Sequence, residues 1–80
     1  MRTHTKRQRH NLPGIQHLWR FDNGHLASVV PDAEETNLWE LAVLDGSGRT
    51  NSTTPIGPNA IGLLRPIDVR RILRQIQALP

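Results

Sequence analysis

A chain of 80 residues and 9.0 kDa has room for one small domain, in which a single core must offset the entropy of the whole chain. It has no cysteine, which excludes a disulfide framework, a thiol nucleophile and a Cys-ligated zinc site. The apolar fraction is 36%, Trp19, Phe21 and Trp39 are its only Phe or Trp residues and there is no Tyr, and the net charge of +3 is unevenly spread, with two basic ends around an acidic middle.

Residues 1–10 carry Arg2, Lys6, Arg7 and Arg9 with no acid and no apolar periodicity. A flexible basic tail over residues 1–12 is therefore expected, followed by one folded domain over residues 13–80. From Ile15 to Phe21 the odd positions Ile15, His17, Trp19 and Phe21 fall on one face, which predicts a strand. Asn23-Gly24 favours a two-residue type I′ turn because both residues tolerate positive φ. That turn sets Asp22 opposite His25, Phe21 opposite Leu26 and Trp19 opposite Ser28, and so turns Leu26, Ser28 and Val30 toward the core.

Pro31 to Asn37 reads as an acidic loop containing Asp32, Glu34 and Glu35. Leu38 to Leu44 is a further strand, with Trp39, Leu41 and Val43 on one face and Glu40 marking the other. Asp45-Gly46-Ser47-Gly48 is a turn, Arg49 to Thr54 a short strand, and Ala60 to Leu64 a helical turn that plugs one end of the core. Pro66 then stands where a helix should begin, and Val69, Ile72, Leu73, Ile76 and Leu79 follow at helical spacing. Arg70, Arg71 and Arg74 fall on the opposite arc. The expected fold is α+β, an antiparallel β-meander of three to four strands with one C-terminal amphipathic helix packed on one face.

Catalytic chemistry finds no footing in these residues. His4, His10, His17 and His25 lack metal-ligand spacing, Ser28 has no nucleophile-elbow context, and Glu34 with Glu35 reads as a solvated loop rather than an acid–base pair in a dry cleft. No catalytic, metal-binding or cofactor-binding residue is assigned, and the protein is expected not to be an enzyme. No apolar run of about 18 residues exists to cross a membrane, so a cytoplasmic protein is expected. The charged clusters carry the functional expectation. Lys6, Arg7 and Arg9 in the tail and Arg70, Arg71 and Arg74 on the helix suit a phosphate-bearing or acidic partner, while Asp32, Glu34 and Glu35 suit a basic one. Leu18, Val29, Leu38 and Leu44 are expected on the sheet face that the helix leaves open.

The segments "RFDNGHLASVV", "NLWELAVL" and "TPIGPNAIGLLRPIDVRRILRQIQAL" resemble a group of small phage and prophage accessory proteins of undefined function. These share an F-D-N-G hairpin leading to S-V-V, an L-W-E-L-A-V strand, a T-P-I segment and a terminal helix. The resemblance covers residues 15–79 and leaves out the basic N-terminal segment, and it differs at Arg70, Arg71 and Arg74, where the group is acidic. It implies a phage-encoded interaction protein in the cytoplasm of an infected or lysogenic bacterium. Such a protein would inhibit a host defence complex, of the CRISPR type for instance, by stoichiometric binding and occlusion, with a host protein or ribonucleoprotein as partner. The alternative from the charges is a nucleic-acid-binding accessory protein using the basic tail and the helix arginines.

Overall fold

The computed structural model describes residues 2–9, 12–50, 56 and 60–80. Five strands, β1 (Arg2–Gln8), β2 (Ile15–Phe21), β3 (Leu26–Pro31), β4 (Trp39–Leu44) and β5 (Ile61–Leu64), precede helix α1 (Pro66–Gln77). The strands form one antiparallel sheet in the order β1-β2-β3-β4-β5. The α+β class and the terminal helix agree with the sequence; the strands number five rather than three to four.

The additional strands come from two segments read otherwise. Residues 2–8, expected as a flexible tail, pair along their whole length with β2, from Arg2 opposite Phe21 to Gln8 opposite Ile15. An edge strand needs only a backbone ladder and side chains that tolerate the pleat. Thr3 and Thr5 supply β-branched positions, and the side chains of Arg2 and His4 lie on the Trp19 ring of β2. Ala60 to Leu64, expected as a helical turn, contains β5, with Leu64 opposite Trp39 and Ile61 opposite Leu41 across an irregular register. Of the strand expected at Arg49 to Thr54, Thr50 makes one isolated bridge to Leu44, and residues 51–54 lie outside the described residues.

The β2–β3 hairpin turns on three residues, not two. Gly24 N–H donates to the Phe21 carbonyl at 3.1 Å and Phe21 N–H to the His25 carbonyl at 3.0 Å. Gly24 alone in this turn has positive φ, at 90°, whereas a type I′ turn would need it at Asn23 as well. The register therefore moves by one residue, setting Trp19 opposite Ala27 and His17 opposite Val29. Ala27 and Val29, rather than Leu26, Ser28 and Val30, share the helix-side face with Trp19 and Phe21. This register keeps the Ser28 hydroxyl out from under the helix and aligns Ala27 with Val43 and Val29 with Leu41.

Pro66 opens α1, and Ile72, Leu73 and Ile76 are buried against β4 and β5, as the helical spacing predicts. They close a core with Phe21, Ala27, Val29, Leu41, Val43 and Leu64, each large side chain contributing about 1.5–3 kcal/mol by leaving water. Asp68, in the first turn, accepts the Arg65 backbone N–H at 3.0 Å and pairs with the Arg65 and Arg71 guanidinium groups. At the other end, the Asn23 side-chain amide donates to the carbonyls of Ile76 at 2.8 Å and Leu79 at 3.0 Å. The turn residue thus caps the helix and locks hairpin to helix.

Because α1 lies over β4 and β5, among the described residues it leaves free the β1–β2 end of the helix-side face and the opposite face. Val29, expected on that opposite face, is in the core. Leu18, Leu26, Val30, Ala42 and Leu44 form apolar parts of the opposite face, and Leu26 is itself buried there.

Candidate nucleic-acid interface

Strand β1 sorts its side chains by alternation. Arg2, His4 and Lys6 point to the helix side, in line with Phe21, Trp19 and His17; Thr3, Thr5 and Arg7 point to the opposite face. The helix-side set forms a shelf on the uncovered end of the sheet. The His4 ring lies flat on the Trp19 indole, centroids 4.0 Å apart and planes 6° apart, and the Arg2 guanidinium stands 4.9 Å from the same indole. His4 Nε2 and His17 Nδ1 are 2.9 Å apart. With centroids at 5.1 Å and planes at 21°, these two imidazoles meet edge to edge through one hydrogen bond. His17 in turn meets Trp39 edge to face at 5.5 Å. A continuous ribbon of rings, Trp39, His17, His4, Trp19, thus crosses the floor of the shelf, with Arg2 and Lys6 on either side of His4.

The His4–His17 hydrogen bond needs one imidazole to donate and the other to accept, so at least one of the facing nitrogens must be unprotonated. Burial, then the proximity of His4 and of Lys6, push the His17 pKa below its ordinary 6.5. The hydrogen bond holds the pair away from double protonation, and Arg2 and Lys6 are the permanent cations of the shelf. Among the described residues no group of three His, Cys, Asp or Glu side chains is placed to hold a metal ion.

Of the residues expected at a partner surface, Lys6 lies on the shelf. Arg7 lies on the other face of the sheet, its Nε donating to Gln16 Oε1, and Arg9 follows the strand with Nη1 donating to the Pro13 carbonyl at 3.1 Å. Asp32, expected at a partner surface, is turned inward. It is 4% exposed, and its carboxylate accepts the backbone N–H groups of Glu34 at 2.8 Å, Glu35 at 3.3 Å and Leu63 at 2.7 Å. Those N–H bonds hold its pKa below the ordinary carboxyl value, and the group ties the β3–β4 loop to β5. Glu34 and Glu35 remain exposed on that loop without Asp32 beside them at the surface. Arg70 and Arg74 are exposed on α1, while Arg71 is engaged with Asp68 at 3.2 Å.

Arg2, His4, His17, Trp19 and Trp39 did not stand out as a site in the sequence. The available signal was R-T-H-T-K, a period-two alternation of threonine with long or ring-bearing side chains, which is a strand pattern without an apolar face. Comparison with protein families, curated proteins and solved structures finds no match to this chain. Among the described residues no helix is long and apolar enough to cross a membrane.

Proposed function

We propose that the protein acts by binding rather than catalysis, and that the β1–β2 shelf contacts single-stranded nucleic acid. The observation that carries this reading is the His4 ring stacked at 4.0 Å on Trp19 between the cations Arg2 and Lys6. Single-strand binders combine aromatic rings on which bases stack with cations that follow the phosphates. Here the outer face of exposed His4 offers a base a stacking platform backed by an indole, and Arg2 and Lys6 stand two residues to either side for phosphates. Among the described residues the outer edge of β1 is unpaired, which leaves room for the strand to pass.

A stoichiometric inhibitor of a host defence complex, the role the resemblance implies, would use the same shelf where the host surface includes an exposed nucleic-acid strand. The acidic version of that role loses support, because Asp32 is enclosed and Glu34 and Glu35 alone make a sparse cluster.

Trp19 and Trp39 are the only tryptophans, so their fluorescence reports directly on the shelf. Titration with an oligothymidylate at low salt should quench it saturably. Affinity should fall with salt at a log–log slope of about −1.4, as expected for two phosphate contacts on a single strand. His4→Ala should weaken binding by about 1–3 kcal/mol, the usual worth of one base stack. A flat titration with both single strands and duplex would remove the reading.

A further inference from the structure

On the helix-free face, at the end of the sheet where β1 runs into the loop before β2, an open cleft of about 520 Å³ is lined by Arg7, Arg9, Leu12, Gln16, Ser28 and Val30, among others. Three of these side chains are joined in a line across strands β1, β2 and β3. Arg7 Nε donates to Gln16 Oε1, and Gln16 Nε2 donates to Ser28 Oγ at 2.8 Å. The consequence lies in what this line leaves over. With Nε engaged, the Arg7 guanidinium is oriented, and its two terminal nitrogens form the fork that matches an oxyanion. Gln16 uses its carbonyl on Arg7 and one N–H on Ser28, so Ser28 Oγ is already an acceptor and its hydroxyl hydrogen is left to donate. Arg9, anchored by Nη1 on the Pro13 carbonyl, adds a second guanidinium to the wall.

No carboxylate lines the cleft. The acid nearest in the cross-strand row, Glu40, lies beyond Val30 on β4 and lines a separate depression with Asp32 and Glu34. Among the described residues neither Arg7 nor Arg9 has an ion-pair partner. The cleft therefore presents donors and positive charge with no carboxylate to match them, beside an apolar flank of Leu12 and Val30.

We infer that this cleft is a binding site for a small oxyanion, the phosphoryl or carboxylate head of a low-molecular-weight ligand, held by the Arg7 fork and the Ser28 hydroxyl. It lies on the opposite face of the sheet from the shelf and does not depend on it.

The test uses the full chain, with amide and side-chain NH resonances followed during titration with sodium phosphate, and separately sodium acetate, against sodium chloride at matched ionic strength. Saturable shifts confined to the Arg7 Nε–H, the Gln16 side-chain amide and the Ser28 amide are expected. Arg7→Gln should weaken the affinity roughly tenfold or more, the worth of a lost charge-assisted pair. Arg7→Lys, which keeps the charge and loses the fork, should fall between. Saturation by phosphate alone assigns a phosphoryl head, and by acetate alone a carboxylate head. If the shifts track chloride, spread equally to Arg70 and Arg74, or survive Arg7→Gln unchanged, there is no such site. Should Arg7→Gln lose the native spectrum, Ser28→Ala is read instead, where weaker binding supports the site and unchanged binding overturns it.

Discussion

Asn23 performs two tasks at once, and each uses a different atom of one amide. Its Oδ1 accepts the His25 N–H at 3.1 Å, which shapes the hairpin, and its Nδ2 donates to carbonyls at the C-terminal end of α1. The Ile76 carbonyl lies in the last turn of α1, at the negative end of the helix dipole, where it also accepts the Leu79 N–H at 3.1 Å, and the Leu79 carbonyl follows just beyond the helix. Asn23→Ala should therefore destabilise the fold by about 1–2 kcal/mol in urea unfolding. Asn23→Asp, the closer isostere, should be worse than alanine near neutral pH, since a carboxylate only accepts and would face carbonyl oxygens with a like charge. Equal losses for the two variants would show that the amide does not cap the helix. His17 gives a second residue-scale expectation. Its pKa is lower in the folded state than the ordinary 6.5, so the unfolded chain takes up the proton first as pH falls. The stability it contributes is present above pH 6.5 and is lost as pH drops from there toward the folded value. Plotted against pH, the unfolding free energy of the wild type should decline below 6.5 more steeply than that of His17→Gln. Parallel curves would show that His17 does not hold its partly buried place beside His4 and Lys6 in solution.

At the scale of elements, β1 separates two accounts of the N-terminal segment. A flexible tail could be removed without effect on stability. A strand whose His4 stacks on Trp19 and whose Arg2 stands over the same ring contributes about 1–2 kcal/mol through those contacts alone. Deletion of residues 1–8 should lower the urea midpoint accordingly, and in the intact chain the β1 amides paired to β2 should be protected from hydrogen exchange. Unchanged stability with unprotected amides would restore the tail. Strands β2, β3 and β4 and helix α1 were legible because their apolar residues repeat at two or at three-to-four positions and must share a face. β1 was not, because its alternation runs between kinds of polar side chain, and its partner rings Trp19 and His17 lie on another strand. The hairpin register was misread because Asn-Gly serves both the two-residue and the three-residue turn. What decides between them is the distant demand that Ala27 rather than Ser28 lie under α1, together with the helix end that Asn23 caps. β5 was hidden by Leu63, whose φ of 57° is a left-handed conformation that non-glycine residues rarely adopt. It is held by the bond from Leu63 N–H to buried Asp32, thirty-one positions earlier in the chain.

For the whole molecule, the meander separates charges that the linear sequence suggested would act together. The basic ends are not one patch. Arg2 and Lys6 lie at the β1 edge, whereas Arg70 and Arg74 ride on a helix that covers β4 and β5. Three strand spacings between β1 and β4 amount to about 14 Å. This exceeds the Debye length of about 8 Å at physiological salt, so the helix cations act on a strand bound at the shelf only through a screened field. Charge reversal should resolve the two contributions. Arg2→Glu with Lys6→Glu should abolish most oligonucleotide binding and remove the salt dependence, since both phosphate contacts are lost. Arg70→Glu with Arg74→Glu should slow association at low salt and leave the affinity at physiological salt nearly unchanged, because long-range steering affects encounter more than the bound state. Stopped-flow tryptophan quenching at two salt concentrations measures both quantities. Were the helix pair to weaken binding more than the shelf pair at physiological salt, the contact surface would lie on α1, and the His4–Trp19 stack would be a packing feature of the edge strand alone.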